Sequence, residues 1–245
     1  MRNFTIELNN EGASLTAYLP DLSPEMPHMN SRRAVLVIPG GGYYMCSARE
    51  AEPVAFKFLA EGFAAFILRY SLNENSVFPK PLEDAEQALG LIRENSSEWG
   101  VDPDRIAAIG FSAGGHLAAA LSAQGRVRPN AQILGYPCIL QSMCDKLATP
   151  VPEVFGKADE NTPPAFIFSS FEDGTVPIAN SLKYAEELDE KGISCEMHVF
   201  SKGYHGFSTA DAQVYDKESD RDYNSRCADW APLCFKWLDD LFGKC

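Results

Sequence analysis

Ile106-Ala107-Ala108-Ile109-Gly110-Phe111-Ser112-Ala113-Gly114-Gly115-His116 is an apolar run that passes through G-x-S-x-G and continues into an alanine-rich stretch. Consecutive apolar residues without polar alternation suit a strand covered on both faces, and the alanines that follow predict a helix over Ala113 to Ala123. A chain that turns from strand to helix around one residue leaves no room for side chains two positions to either side, and Gly110 and Gly114 stand there. A serine at such a turn is lifted clear of the sheet. The helix N-terminus then offers its amides and positive dipole end to charge developing on a carbonyl under attack. The flanking strand and helix favour a nucleophile at Ser112 over a plain glycine-rich joint.

Outward from this joint, Ala34 to Ile38, Phe63 to Leu68 and Ala165 to Phe168 are further short apolar runs. Helical patterns lie between or after them, at 50–60, 82–99, 178–190 and 231–241, and this alternation predicts crossover units on a parallel sheet. Gly62 and Gly192 follow two of these helices as stops, while Asp102-Pro103 and Thr162-Pro163-Pro164 mark strand entries. At the start, Phe4 to Leu8 and Ser14 to Leu19 alternate polar and apolar around Asn9-Asn10-Glu11-Gly12, which predicts an antiparallel hairpin. Pro137 to Pro164 and Ser208 to Ala228 carry no regular pattern and are expected to form a cap or rim.

A nucleophilic serine needs a base and an orienting acid, and after a G-x-S-x-G turn these follow in the chain order serine, acid, histidine. Two histidines lie downstream. His198 falls inside the strand pattern Glu196 to Phe200, whereas His205 sits in Lys202-Gly203-Tyr204-His205-Gly206-Phe207, a glycine-flanked loop just after that strand, and is the preferred base. His116 is four residues from Ser112 but points along a helix running away from the turn, so a structural role is expected for it. The acid is expected in Ser170-Phe171-Glu172-Asp173-Gly174, at the end of the Ala165 strand; Asp173 is preferred, with Glu172 as the neighbour to exclude.

An oxyanion needs amides from two sources, the residue after the serine, Ala113, and the loop after an early strand. Pro39-Gly40-Gly41-Gly42-Tyr43 follows the Val35 to Ile38 run and supplies that loop, with Gly41 or Gly42 as donor. It lacks the G-K-[ST] ending and the G-x-G-x-x-G spacing of phosphate-binding loops. Tyr43 and Tyr44 either line an acyl or alcohol pocket or serve as packing.

The composition sets the surroundings. Of 245 residues, 45% are hydrophobic and 22% charged, enough for a sizeable core, and the net charge of −13 argues against a grip on nucleic acid phosphates or anionic lipid. The seven cysteines form no CxxC pair and have no regular histidine spacing near them, so neither a disulfide framework nor a metal site is expected. No stretch approaches the roughly 18 apolar residues of a membrane span, and the first thirty residues lack the apolar core of a signal peptide. A reduced, cytoplasmic setting is therefore expected. No cofactor is called for by this chemistry, and association with further copies of the chain is left open.

Pro39-Gly40-Gly41-Gly42-Tyr43, Ala51-Glu52-Pro53-Val54, Leu68-Arg69-Tyr70, Asp102-Pro103-Asp104-Arg105-Ile106, Gly110 to His116, Val176-Pro177 and Tyr204-His205-Gly206-Phe207 together resemble the α/β-hydrolase esterases grouped with acetyl xylan esterases, relatives of the hormone-sensitive-lipase and dienelactone-hydrolase groups. The resemblance runs from about residue 34 onward and is weaker over 137–164 and 208–228. It implies an α/β-hydrolase fold: a mostly parallel twisted sheet with an N-terminal antiparallel pair, helices on both faces and small rim insertions. It also implies serine carboxylesterase chemistry on small soluble acyl esters, such as acetyl esters of plant sugars, with the acid at Asp173 when Val176-Pro177 is the anchor. Pro39 departs from lipase-like relatives, which carry a histidine there. A site drawn from loops at 112, 173 and 205 requires one sheet, so residues 1–245 are expected to form one domain. An amide-cleaving enzyme of the arylformamidase or peptidase kind, or a non-catalytic binding module on the same fold, are the alternatives.

Overall fold

The computed structural model describes residues 1–214 and 226–243. Strands β1 (Arg2–Glu7) and β2 (Ser14–Leu19) form the N-terminal hairpin, paired antiparallel from Arg2 opposite Leu19 to Glu7 opposite Ser14. The chain then alternates: β3 (Arg32–Ile38), α1 (Glu52–Ala60), β4 (Ala64–Arg69), α2 (Lys80–Glu94), α3 (Ser96–Trp99), β5 (Val101–Phe111) and α4 (Ser112–Gln124). After these come β6 (Ala131–Gly135), α5 (Gln141–Cys144), β7 (Ala165–Ser170), α6 (Ala179–Glu190), β8 (Cys195–Phe200) and α7 (Trp230–Phe242). The eight strands among the described residues join one sheet in the order β1-β2-β4-β3-β5-β6-β7-β8, antiparallel at β1/β2 and β2/β4 and parallel from β4 to β8.

The central strands are apolar throughout because both faces are covered. Along β3, Ala34, Leu36 and Ile38 point into one core with α2, α4 and α6, while Val35 and Val37 point into the other with α1 and α7. The second core is rich in rings; Phe168 and Trp230 stack there with centroids 4.5 Å apart. The first owes its closeness to small residues: Ala118 to Ala120 of α4 are fully buried.

Strand β6 has no counterpart in the pattern of apolar runs. Gln132 interrupts it, and this glutamine is fully buried with both ends of its amide used: its Nε2 donates to the Pro163 carbonyl at 2.9 Å and its Oε1 accepts the Tyr184 hydroxyl at 3.1 Å. A polar side chain satisfied in this way is stable inside a sheet but hides the strand from an apolar template. β5 also starts earlier than the run Ile106 to Ile109, pairing with Arg32 at Val101, bulging over residues 102–105, and pairing again from Ile106. The 137–164 stretch contains the single-turn helix α5 and otherwise follows the strand ends as irregular chain. The expected rim at 208–228 lies in part, at residues 215–225, outside the described residues, as does Cys245. Among the described residues no helix is long and apolar enough to cross a membrane.

Candidate active site

The C-terminal ends of β3, β5, β6, β7 and β8 lie side by side, and the loops leaving them carry every polar group of the site, the usual place for ligands on an open parallel sheet. Ser112 follows β5 with φ +52°, a left-handed conformation that only a tightly determined turn imposes on a non-glycine residue. The two glycines explain how. A Cβ at Gly110 would stand 2.1 Å from the Gly114 carbonyl oxygen, and one at Gly114 would stand 2.1 Å from that of Ile38. The first turn of α4 is thus pressed onto the ends of β3 and β5, and the serine is thrust outward.

His205 and Asp173 meet the serine in one line. The imidazole Nδ1 lies 2.7 Å from Asp173 Oδ2 and Nε2 lies 2.9 Å from Ser112 Oγ. An ionised carboxylate only accepts, so Nδ1 carries the ring proton and Nε2 is left to accept the serine hydroxyl. The other carboxylate oxygen of Asp173 accepts the amides of Thr175 and Val176, each at 2.9 Å, so the acid is fixed in a buried turn while Glu172 beside it is exposed. The Tyr136 ring stands edge-on to the His205 imidazole, centroids 5.0 Å apart. On the loop that carries His205, Gly206 has φ +75°.

The glycine loop turns its carbonyls into the protein. Gly40 accepts the Ser47 amide, Gly41 that of Tyr44, Gly42 that of Ala148 and Tyr43 that of Asn73, at 2.8–3.0 Å. The amides of Gly41, Gly42 and Ala113 donate to nothing among the described residues. Burial pushes the thiol of Cys138, next to Ser112, up to about 12, which keeps it a neutral wall of the site.

The remaining histidines are elsewhere. His198 lies on β8, bonded to Glu196 at 2.8 Å and packed on Phe166. His116 is fully buried in α4: its Nε2 donates to the Pro152 carbonyl at 2.9 Å, and Nδ1 accepts the Tyr43 hydroxyl at 2.9 Å. Tyr43 therefore faces the core, completely buried against Tyr70 and His116, and does not line a pocket; its hydroxyl is committed to His116. Tyr44 is 58% exposed at the rim. Sequence reasoning missed two polar residues here, Glu50 and Tyr136. Glu50 reads as the start of a helix, and Tyr136 follows the strand hidden by Gln132.

Comparison with known proteins agrees with this architecture. The BD-FAE family matches residues 21–128 and the Prolyl oligopeptidase family matches residues 143–229. Among solved structures, MGS-M1, an alpha/beta hydrolase enzyme from a Medee basin deep-sea metagenome library, is 43% identical and superposes with a TM-score of 0.92 over 98% of both chains. The chain belongs to the α/β-hydrolase family. This α/β hydrolase is also 31% identical over 231 residues to the acetylxylan esterase of Xylanibacter ruminicola, and 32% identical over 238 residues to endo-1,4-beta-xylanase B of Butyrivibrio fibrisolvens, in each case over 84% of its own length. It spans less than half of those two relatives, 46% and 38% of their lengths.

Proposed function

We propose that this α/β hydrolase is a serine carboxylesterase acting on short acyl esters, acetyl esters of small sugars foremost. The observation that carries the reading is the line of hydrogen bonds from Ser112 through His205 to Asp173, at 2.9 and 2.7 Å. In this reading Ser112 attacks the ester carbonyl as His205 Nε2 takes its proton, and Asp173 holds the tautomer and steadies the imidazolium. The oxyanion is received by the unengaged amides of Ala113 and of Gly41 or Gly42, each such donor typically worth about 2.7–4 kcal/mol. His205 returns the proton to the leaving alcohol. Water activated by the same imidazole then releases the acid and restores the serine.

Sugar acetates are favoured because one relative is an acetylxylan esterase and another a xylanase. The net charge of −13 also favours a neutral substrate over an anionic one. A second reading, cleavage of a small amide or peptide, rests on the match of residues 143–229 to the Prolyl oligopeptidase family. The test is a hydrolysis panel of p-nitrophenyl acetate, butyrate and octanoate, acetylated xylo-oligosaccharides, an aryl formamide and a prolyl dipeptide amide. Acetate turnover exceeding the octanoate and amide rates upholds the esterase reading; rates that rise with chain length, or a preferred amide, overturn it.

A further inference from the structure

Glu50 lies buried at the centre of the site and has no part in the steps above. It ends the single helical turn Ala48–Glu50 just after the glycine loop and is 4% exposed. Its Oε2 accepts the Gly40 amide at 2.8 Å and its Oε1 accepts the Tyr136 hydroxyl at 2.7 Å. The Tyr136 oxygen in turn accepts the amide of Ser208, three residues beyond His205, at 3.0 Å. Arg49 adds a parallel strap, donating to the Gly206 carbonyl at 2.9 Å and accepting the Ser208 hydroxyl on its own carbonyl at 2.5 Å. Gly40 lies between Glu50 and Ser112: a Cβ at Gly40 would stand 2.8 Å from Glu50 Oε2 and 3.0 Å from Ser112 Cβ.

We propose that Glu50 is a positioning residue for the Ser112 reaction, tying the glycine loop to the His205 loop and holding a second negative charge beside the imidazole as it takes up a proton. The proposal rests on the esterase reading above. Both oxygens of Glu50 act as acceptors, an arrangement that an ionised carboxylate completes. Burial, the largest influence, leaves its pKa raised, while the hydrogen bonds from Tyr136 and Gly40 and the charges of His205 and Arg49 act to lower it. The other titratable groups facing it, Tyr70 and Cys138, are held protonated and neutral by burial. The His205 ring is faced by Asp173, Ser112 and Tyr136 besides. Two carboxylates thus share the imidazolium, Asp173 by direct contact and Glu50 across the Tyr136 ring and the glycine loop.

The test is Glu50→Gln, with active sites counted by a fluorophosphonate probe on Ser112 and p-nitrophenyl acetate as substrate. Expected are a ten- to hundredfold loss of kcat per labelled site, a KM within threefold of the parent, and an acid limb of kcat/KM displaced to lower pH, because a negative charge that favoured the imidazolium is gone. Glu50→Asp, which keeps the charge but cannot span both partners, is expected to lose kcat with the limb in place. A per-site kcat within twofold of the parent in Glu50→Gln, or an unmoved acid limb, overturns the proposal. If Glu50→Gln does not fold, Tyr136→Phe removes only the phenolic link; a three- to tenfold loss of kcat supports the proposal and an unchanged kcat overturns it. A parent chain that the probe does not label at Ser112 takes down the esterase reading and this one with it.

Discussion

His205 and His116 each bond through both ring nitrogens, yet they do so in opposite tautomers and opposite settings. His205 sits on a glycine-flanked loop, carries its proton on Nδ1 against Asp173 and turns a bare Nε2 to Ser112. His116 sits inside a helix, carries its proton on Nε2 against the Pro152 carbonyl and spends Nδ1 on Tyr43. Burial lowers the His116 pKa from 6.5 to about 4, so it stays neutral across the working range. Under the proposed esterase mechanism, what separates a base from a strut is therefore the partner. A carboxylate on one nitrogen and a proton-giving hydroxyl on the other favour cycling of the proton, whereas a carbonyl and a buried phenol hold it still.

The sharpest way to break this contrast is to remove the proposed base. His205→Ala should lower kcat for p-nitrophenyl acetate by about 100,000-fold, and Asp173→Asn by about 1,000- to 10,000-fold, while His198→Ala leaves it within twofold. Near-normal turnover in His205→Ala together with its loss in His198→Ala or His116→Ala would reverse the assignment.

For His116 the expected effect falls on stability. The unfolded histidine takes up its proton below about 6.5 but the folded one only near 4, so between these values the unfolded chain binds more protons and stability falls as pH is lowered. The gap corresponds to about 3 kcal/mol lost by pH 4. His116→Gln should be the less stable protein at pH 7.5, by about 2 kcal/mol, with the difference closing toward pH 4 in urea titrations. A difference constant with pH would show that His116 does not titrate this way. Per-site kcat should stay within tenfold. The smallest effect is expected at the exposed rim: Tyr44→Ala should change KM for acetylated xylo-oligosaccharides by about two- to threefold and stability by less than about 0.5 kcal/mol. An unchanged KM would remove Tyr44 from substrate contact.

That Ser112, Asp173 and His205 come together was readable because each depends on a local rule: two glycines at a sharp turn, an acid at a strand end, a histidine between glycines. The sheet was readable where strands are wholly apolar, as at Ala34 to Ile38. Reading failed where tertiary contacts override the local pattern. Gln132 is tolerated in a central strand only because Pro163 and Tyr184 answer its amide. Glu50 looks like an ordinary helix start, since nothing near it in sequence reveals that Gly40 and Tyr136 will close around it. For Tyr43 the choice between pocket lining and packing stayed open for a similar reason: its partner, His116, is 73 residues away.

The close approach of α4 to the ends of β3 and β5 has a consequence for engineering. Backbone touches backbone at Gly110 and Gly114, so the address of Ser112 is written in main-chain atoms. Repacking the apolar layers around α4, at Leu117 or Leu121 for instance, should therefore shift the melting point while leaving turnover per site almost untouched. A library built to harden this enzyme can roam widely through its interior, provided that two hydrogen atoms, one on each of those glycines, stay where they are.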